Sequence, residues 1–565
     1  MTSVSSTSSA SVTSSQSSSS VDRSGLSVDD VVTAKIQPYL DRIDTINNTV
    51  TSNQTKISAY EDMQKLLTNL ENAVDALRDP LDSKSDVFNM RSATLTSSNG
   101  SVTASNLMSV SVDPGTAAGT HTVTVTQLAQ AERIASSTVS SRTGALGYSG
   151  TFTIGESGKT GASINVTADM SLNDIVTAIN SNTSTTGVTA NIVAVSGTSY
   201  KLVLTGADTN QSITMSTSSG TALSDLGITG SDGSTAANVL QAAQPAILTV
   251  DGVSGIERDT NEVDDVIDGV TMDLTAADAN TTVTMTIGND TSSVSNALET
   301  FVESYNAWRE FVSQNQATNS DGTASSSATL FADSTLRSVA TDIDSTLTSI
   351  VGSTSLGSIG ISLNSDNQLE IDSDTLDNTL SSNFDAVKKL FSYTADTSSA
   401  DLNLVAHGSS TYAGTFTLNV TTDSSGNVTG ATATDSSGNT TALNVSGSVI
   451  SGKSGTAYAG LQFSFSGTQS ESITVTASQG IADKIYQTSD AAADTATGSV
   501  QSLISTLESQ DDTLTGKASD LQTQANNYYN YLLDYYGRLE ARISEANQTA
   551  DLLSQLLSSD NSSSN

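Results

Sequence analysis

Bond chemistry needs nucleophiles, bases or metal ligands at workable spacing, and this chain supplies few of them. It has two histidines, His121 and His407, and no cysteine, so a tetrahedral zinc site lacks its ligands. His121 alternates with Val123 and Val125, which predicts a packing residue on a strand face rather than a base. His407 stands just before a Gly-Ser-Ser loop with no periodic neighbour. Serine is abundant, yet no Gly-x-Ser-x-Gly elbow sits between a strand and a helix. The densest carboxylates, Asp259, Glu262, Asp264, Asp265 and Asp268, lack the order of a calcium-binding helix–loop–helix and read as a solvated surface. Asn364-Ser-Asp366-Asn367 is a hairpin turn, where Asn and Asp tolerate a left-handed backbone. No phosphate-binding loop or dinucleotide fingerprint occurs. The expectation is a protein that is not an enzyme and uses no cofactor or metal.

The 565 residues exceed what one core can organise. With 22 Lys+Arg against 60 Asp+Glu the net charge is -38, which disfavours nucleic acid and anionic lipid as partners. No apolar run is long enough for membrane insertion. Residues 1–30 are Ser/Thr-rich and predict a disordered N-terminal tail without a cleaved secretory signal; 558–565 predict a second disordered tail.

What remains is architecture, and it begins with helices at both ends. Apolar residues at Ile36, Leu40, Ile43, Val50, Ile57, Tyr60, Leu67, Leu70, Val74 and Leu77 fall three, four or seven apart. Asn47 and Gln54 interrupt that seam, and Pro38 predicts that the regular helix starts near or after it. Near the other end, Leu514, Ala518, Leu521, Ala525, Tyr528, Leu532, Tyr535 and Leu539 keep a 4-3-4-3 rhythm. After one extra step to Ile543 it resumes through Ala546, Ala550, Leu553 and Leu557. A third helix, about 292–316, carries Val294, Leu298, Phe301, Tyr305, Trp308 and Val312 on one seam, with the sole tryptophan as a core anchor. A shorter one carries Leu336, Val339, Ile343, Leu347 and Ile350, and Phe384–Phe391 adds a further amphipathic segment.

Between the helices the period changes to two. Segments 118–128, 150–154 and 201–206 alternate Thr with apolar residues, with a short helix at 171–181 capped by Ser171. A second block, 401–478, has the same texture at 414–420, 442–445, 461–465 and 472–477. Tyr148-Ser-Gly-Thr-Phe-Thr returns as Tyr412-Ala-Gly-Thr-Phe-Thr, and DSSGN marks turns at 423–427 and 435–439. The fold class is therefore α+β multidomain: a coiled-coil or helical-bundle leg from both termini, with antiparallel β-rich head domains inserted between. The divisions are a helical leg at 31–92, a head domain from 93–135 with 245–290, and an outer head domain at 136–244. They continue with more leg and a hairpin at 291–398, an inserted β domain at 399–480 and a coiled coil at 481–557.

An ordered set of phrases resembles the flagellar hook-associated protein 2, or filament cap, family. Gly25-Leu-Ser-Val-Asp-Asp-Val-Val is similar to the family's opening of its first helix, followed by Ser58-Ala59-Tyr60 within a long heptad helix. Gly119-Thr-His-Thr-Val-Thr-Val-Thr-Gln-Leu-Ala resembles its strand signature, with His121 where the family has an aromatic. Residues 163–206 resemble a flagellin-type IN module. Gly360–Ile371, Asn383–Phe391 and Leu539–Leu557 look like its hairpin, following helix and closing coiled coil. Two departures stand out: the inserted block at 399–480, and Ala-Lys-Ile-Gln-Pro after Val32.

The resemblance implies a ring of identical subunits, commonly a pentamer, at the extracellular tip of the flagellum. It implies paired terminal helices as legs and β domains as a head plate. Flagellin, hook–filament junction proteins and an export chaperone are the implied partners, with export by the flagellar type III route. The seam residues Ile36, Leu40, Ile43, Val50, Ile57, Tyr60, Trp308, Leu521, Tyr528, Leu532, Tyr535, Leu539 and Leu553 are then the helix-packing and assembly positions. A flagellin or junction subunit would share the terminal helices, but the Ser-Gly-x-Arg-Ile/Leu-Asn phrase of flagellins is missing. A surface adhesin of Thr-rich β modules would lack matched terminal coiled coils, although an adhesive role for the head is compatible with the rest.

Overall fold

The computed structural model describes residues 28–78, 86–351, 354–408 and 412–562. The chain divides into two units: residues 82–294 form one, and the segments on either side of it form the other. Residues 1–27 and 563–565 of the expected tails lie outside the described residues, whereas 558–562 continue the last helix.

In the unit of 82–294 every strand pair is antiparallel, as Thr alternating with Val or Ile dictates for sheets with one wet face. One core joins a five-stranded sheet, ordered Arg91–Ser97, Val283–Asn289, Gly119–Gln127, Ala246–Val250 and Val253–Arg258, to a three-stranded one. A second core lies between 134 and 228. There a four-stranded sheet, ordered Val239–Gln241, Arg133–Ala135, Ser199–Gly206 and Val188–Ser196, shares apolar residues with strands Ala162–Val166, Gly150–Glu156 and Ile213–Gly220. Helix Leu172–Asn180 packs on this core through Leu172, Ile175 and Ile179. Ser171 caps it as expected, and Asp174 completes a capping box by accepting from the Ser171 amide at 2.9 Å.

In the other unit, helix Val28–Asp75 contains Pro38 rather than starting after it. A single missing N–H is tolerated because packing along the rest of the seam holds the helix. Helix Thr291–Gln316, which enters this unit at Ser295, buries Leu298, Phe301, Tyr305, Trp308 and Val312 there, Trp308 at 1% exposure, and Val294 of its first turn is buried as well. Asn306 on it donates to the Leu369 carbonyl and accepts from its amide, holding the hairpin Ile361–Leu363/Leu369–Ile371. The turn between those strands has Asn367 at φ 56°, as the Asn/Asp run predicts. Helix Ser334–Leu347 buries Leu336, Val339, Ile343 and Leu347, but Ile350 lies beyond its end and is 69% exposed. Helix Phe384–Phe391 has the expected bounds, and Phe391 meets Phe301 edge-to-face.

The inserted β block is a sandwich around one core. Its five-stranded sheet runs Thr394–Thr397, Glu471–Ser478, Gly414–Thr422, Val428–Asp435, Thr440–Ala442. Its four-stranded sheet runs Leu402–Ala406, Gln462–Phe465, Val449–Ser451, Asn444–Ser446. The first strand begins at Thr394, five residues before the expected boundary, and pairs with the last, Thr394 opposite Ser478. Both DSSGN turns close alike, Asp423 and Asp435 accepting from the amides two and four residues on. The repeated Tyr-x-Gly-Thr-Phe-Thr phrase also has one local form. Gly150 (φ 151°) and Gly414 (φ 141°) each open a strand whose Phe152 or Phe416 is buried.

Candidate assembly site: the paired chain ends

Helix Val28–Asp75 and helix Ser499–Ser562 run antiparallel, so residue n on the first faces a residue near 565 − n on the second. Val32 and Ile36 pack with Tyr529 and Leu532, flanked by Val28, Leu40, Tyr528 and Tyr536. Tyr39 and Tyr528 rings lie 6.1 Å apart. Of the predicted seam, Ile36, Ile43, Val50, Tyr60 and Leu532 are buried; Leu40, Ile57, Leu521 and Tyr528 are half-buried. Tyr535, Leu539 and Leu553 stand exposed, together with Ile543 and Leu557. Tyr535 still lies opposite the first turn of helix Val28–Asp75, its ring meeting those of Tyr531 and Tyr536 on its own helix, whereas from Leu539 onward the helix continues past the level at which its partner begins at Val28.

The polar break in the seam is Asn53, one residue before the expected Gln54. Its amide donates to Asp511 Oδ1 at 2.7 Å, and both residues are buried. Carrying the C-terminal rhythm upstream from Leu514 reaches Asp511, Leu507, Ile504 and Val500. A carboxylate on that seam was the available signal that a donor must face it. Toward the other end of the pair, the Tyr60 hydroxyl donates to Asp333 Oδ2 at 2.7 Å, and burial with this carboxylate pushes its phenol up. The same Asp333 caps helix Ser334–Leu347.

A buried polar cluster lies just past the end of the N-terminal helix. The Arg78 guanidinium reaches Asp483 Oδ1 through Nε (3.1 Å) and Asp75 Oδ1 through Nη1 (3.1 Å), and lies 3.6 Å from the Tyr486 ring centre. Asp483, on helix Ile481–Ala493, has no exposure and also accepts from Gln487 at 3.3 Å. Burial raises the Asp483 carboxyl above the ordinary aspartate range, against the opposing pull of Arg78 and then His407. His407, buried, stacks on Tyr393 with ring centres 4.6 Å apart and bonds the Arg78 carbonyl at 3.1 Å through Nε2. This histidine therefore ties the inserted β block to the helices. Its partners are 329 and 14 residues away, and no local pattern announces them.

His121 corrects the expectation of a packing residue. It is partly exposed, and its Nδ1 lies 2.7 Å from Asp251 Oδ2, a contact that heads the causes holding the Asp251 carboxyl low. The acidic cluster is surface, as expected, with Asp265 paired to Arg258 at 2.6 Å and Asp259 accepting from Asn210 at 2.7 Å. Among the described residues no group of three His, Cys, Asp or Glu could hold a metal. None of their helices is long and apolar enough to cross a membrane.

Fold and contacts together define an α+β multidomain structural protein whose chain ends pair as antiparallel helices around β-rich insertions. Family models match it along most of its length: flagellar hook-associated protein 2 N-terminus over 24–132, flagellin hook IN motif over 151–208, and flagellar hook-associated protein 2 C-terminus over 243–548. The chain belongs to the flagellar hook-associated protein 2 family. It is 33% identical over 370 residues to flagellar hook-associated protein 2 of Escherichia coli K12, covering 62% of this chain and 75% of that protein. The A-type protein of Pseudomonas aeruginosa is 30% identical over 304 residues; the match covers 49% of this chain and 62% of the relative's length. The crystal structure of the flagellar cap protein FliD D1-D2-D3 domains from Escherichia coli aligns with TM-score 0.45 and 31% identity, over 59% of this chain and 90% of that one. The IN match starts twelve residues before the expected 163, taking in strand Gly150–Glu156 from its second residue.

Proposed function

We propose that this protein caps the distal end of a bacterial flagellar filament and promotes folding and insertion of exported flagellin. It acts as a self-assembling scaffold without bond chemistry. The observation that carries this reading is the match of both terminal family models to a chain whose two ends pair. The α+β build suits such a role, since interlocked helices resist load while uncharged Thr-rich sheet faces stay hydrated. In this reading the protein works outside the cell as a ring of identical copies, a pentamer, after leaving by the flagellar type III route with an export chaperone. It meets flagellin and the hook–filament junction proteins there. Deleting its gene tests the function: filaments should be lost or short, with monomeric flagellin leaking into the medium. Normal filaments without leakage would sink the proposal. Native mass measurement tests the ring separately, since a strict monomer at high concentration contradicts it.

A further inference from the structure

The outer half of strand Val188–Ser196 has the attributes of a pairing edge. This strand is terminal in its four-stranded sheet, with Ser199–Gly206 as its one strand partner there. Its inner half is plugged by side chains. Thr183 Oγ1 donates to the Val188 carbonyl at 3.0 Å, and Thr186 Oγ1 accepts from the Val188 amide at 3.2 Å. Asn180 then acts as a false strand, accepting from the Ala190 amide at 2.7 Å and donating to its carbonyl at 2.9 Å. These contacts establish that even-numbered residues aim their backbone groups away from the sheet. By strand alternation Ile192 and Ala194 do the same.

No hydrogen bond occupies that side of Ile192 or Ala194 among the described residues. The wet face beside them carries Val193 at 49% and Val195 at 58% exposure. Edges are ordinarily guarded by charge or proline, and residues 175–200 contain neither, on a chain of net charge -38. Only the register shift between Ala194 and Ser196 limits the edge, ending it after Ala194.

We infer that this edge pairs with the same edge of a second copy of the chain, antiparallel about a twofold axis at Val193. In that register Ile192 faces Ala194 of the other copy twice over, and the four outward groups on each copy satisfy one another in four backbone bonds. Val193 meets its own equivalent across the axis, and the zipper stops at Ala190, whose groups Asn180 already holds. A second copy is favoured over another partner because the strand complements itself in hydrogen bonding and brings no like charges together. The contact is far smaller than the roughly 800 Å² per partner of a stable dimer, so it acts where copies are already concentrated. Being isologous, it joins two assemblies rather than closing one ring.

The absence of cysteine makes the test clean. At the axis, Cα atoms about 4.5 Å apart suit a disulfide. Full-length V193C should therefore oxidise to a covalent dimer at least about tenfold faster than V253C, although Val253 is the more exposed at 63%. Adding Ala194→Pro to V193C should abolish that excess while leaving the fold intact, because the Ala194 amide points away from Ser199–Gly206. Equal rates for V193C and V253C, or an excess indifferent to Ala194→Pro, overturn the inference. So does a monomeric V193C whose Ile192 and Ala194 amides gain exchange protection only when flagellin is added, which would make the edge a dock for a different chain.

Discussion

Replacing Arg78 with alanine should be among the most damaging single changes in the helical unit. The substitution leaves Asp483 with no exposure and no cation in contact, retaining one long hydrogen bond from Gln487 at 3.3 Å. Removing one partner of a buried pair typically costs about 3–5 kcal/mol, and loss of the guanidinium packed on Tyr486 adds to this. Trp308, the sole tryptophan and buried in the same unit, reports unfolding in urea by its fluorescence. The Arg78→Ala midpoint should fall far below wild type, whereas Arg78→Met with Asp483→Leu should recover most of the loss, because no buried charge then remains. Acidity gives an independent check. The native Asp483 carboxyl titrates above its unfolded value, so between those two values the folded state holds the extra proton. This group's contribution to stability is therefore greatest in acid and declines as pH rises through the native value. Asp483→Asn should remove that decline. A loss under about 1 kcal/mol for Arg78→Ala, or an unchanged pH slope for Asp483→Asn, would refute the reasoning.

Three further outcomes follow from the packing. Asn53→Leu strands the buried Asp511 carboxylate and should cost about 1–3 kcal/mol by urea titration; Asn53→Leu with Asp511→Leu should be nearly neutral but lose a register lock. Trp308→Phe should keep the fold, while Trp308→Ala opens a cavity and should cost about 3–5 kcal/mol in calorimetry. Gly480→Ala would drive a methyl into the Phe391 carbonyl and the Ser392 amide; a loss of about 1–3 kcal/mol in thermal unfolding is expected, and an unchanged Tm would contradict that contact.

The readable parts of this fold were those written in one period over many residues. The seams of helices Val28–Asp75 and Thr291–Gln316, the Thr-alternating strands and the Asn-rich hairpin turn all carry their signal within a few neighbours. Pro38 misled because a proline cap is a local rule, and long-range packing of Val32 and Ile36 against Tyr529 and Leu532 overrode it. The exposure of Tyr535, Leu539 and Leu553 was invisible because periodicity specifies a face but not what covers it. The Arg78–Asp483–His407 cluster was illegible for another reason. Arg78 stands hundreds of residues from both of the others, and no spacing rule links them.

The paired first and last strands of the inserted sandwich, with Thr394 opposite Ser478, place its two attachment points side by side. Phe391 and Gly480 nearly touch just outside that pair, so the chain leaves and rejoins the helices through one narrow doorway. A module hung on such a doorway is exchangeable. A foreign domain can be grafted there by the same two cuts, provided the graft replaces the bond that His407 makes to the Arg78 carbonyl.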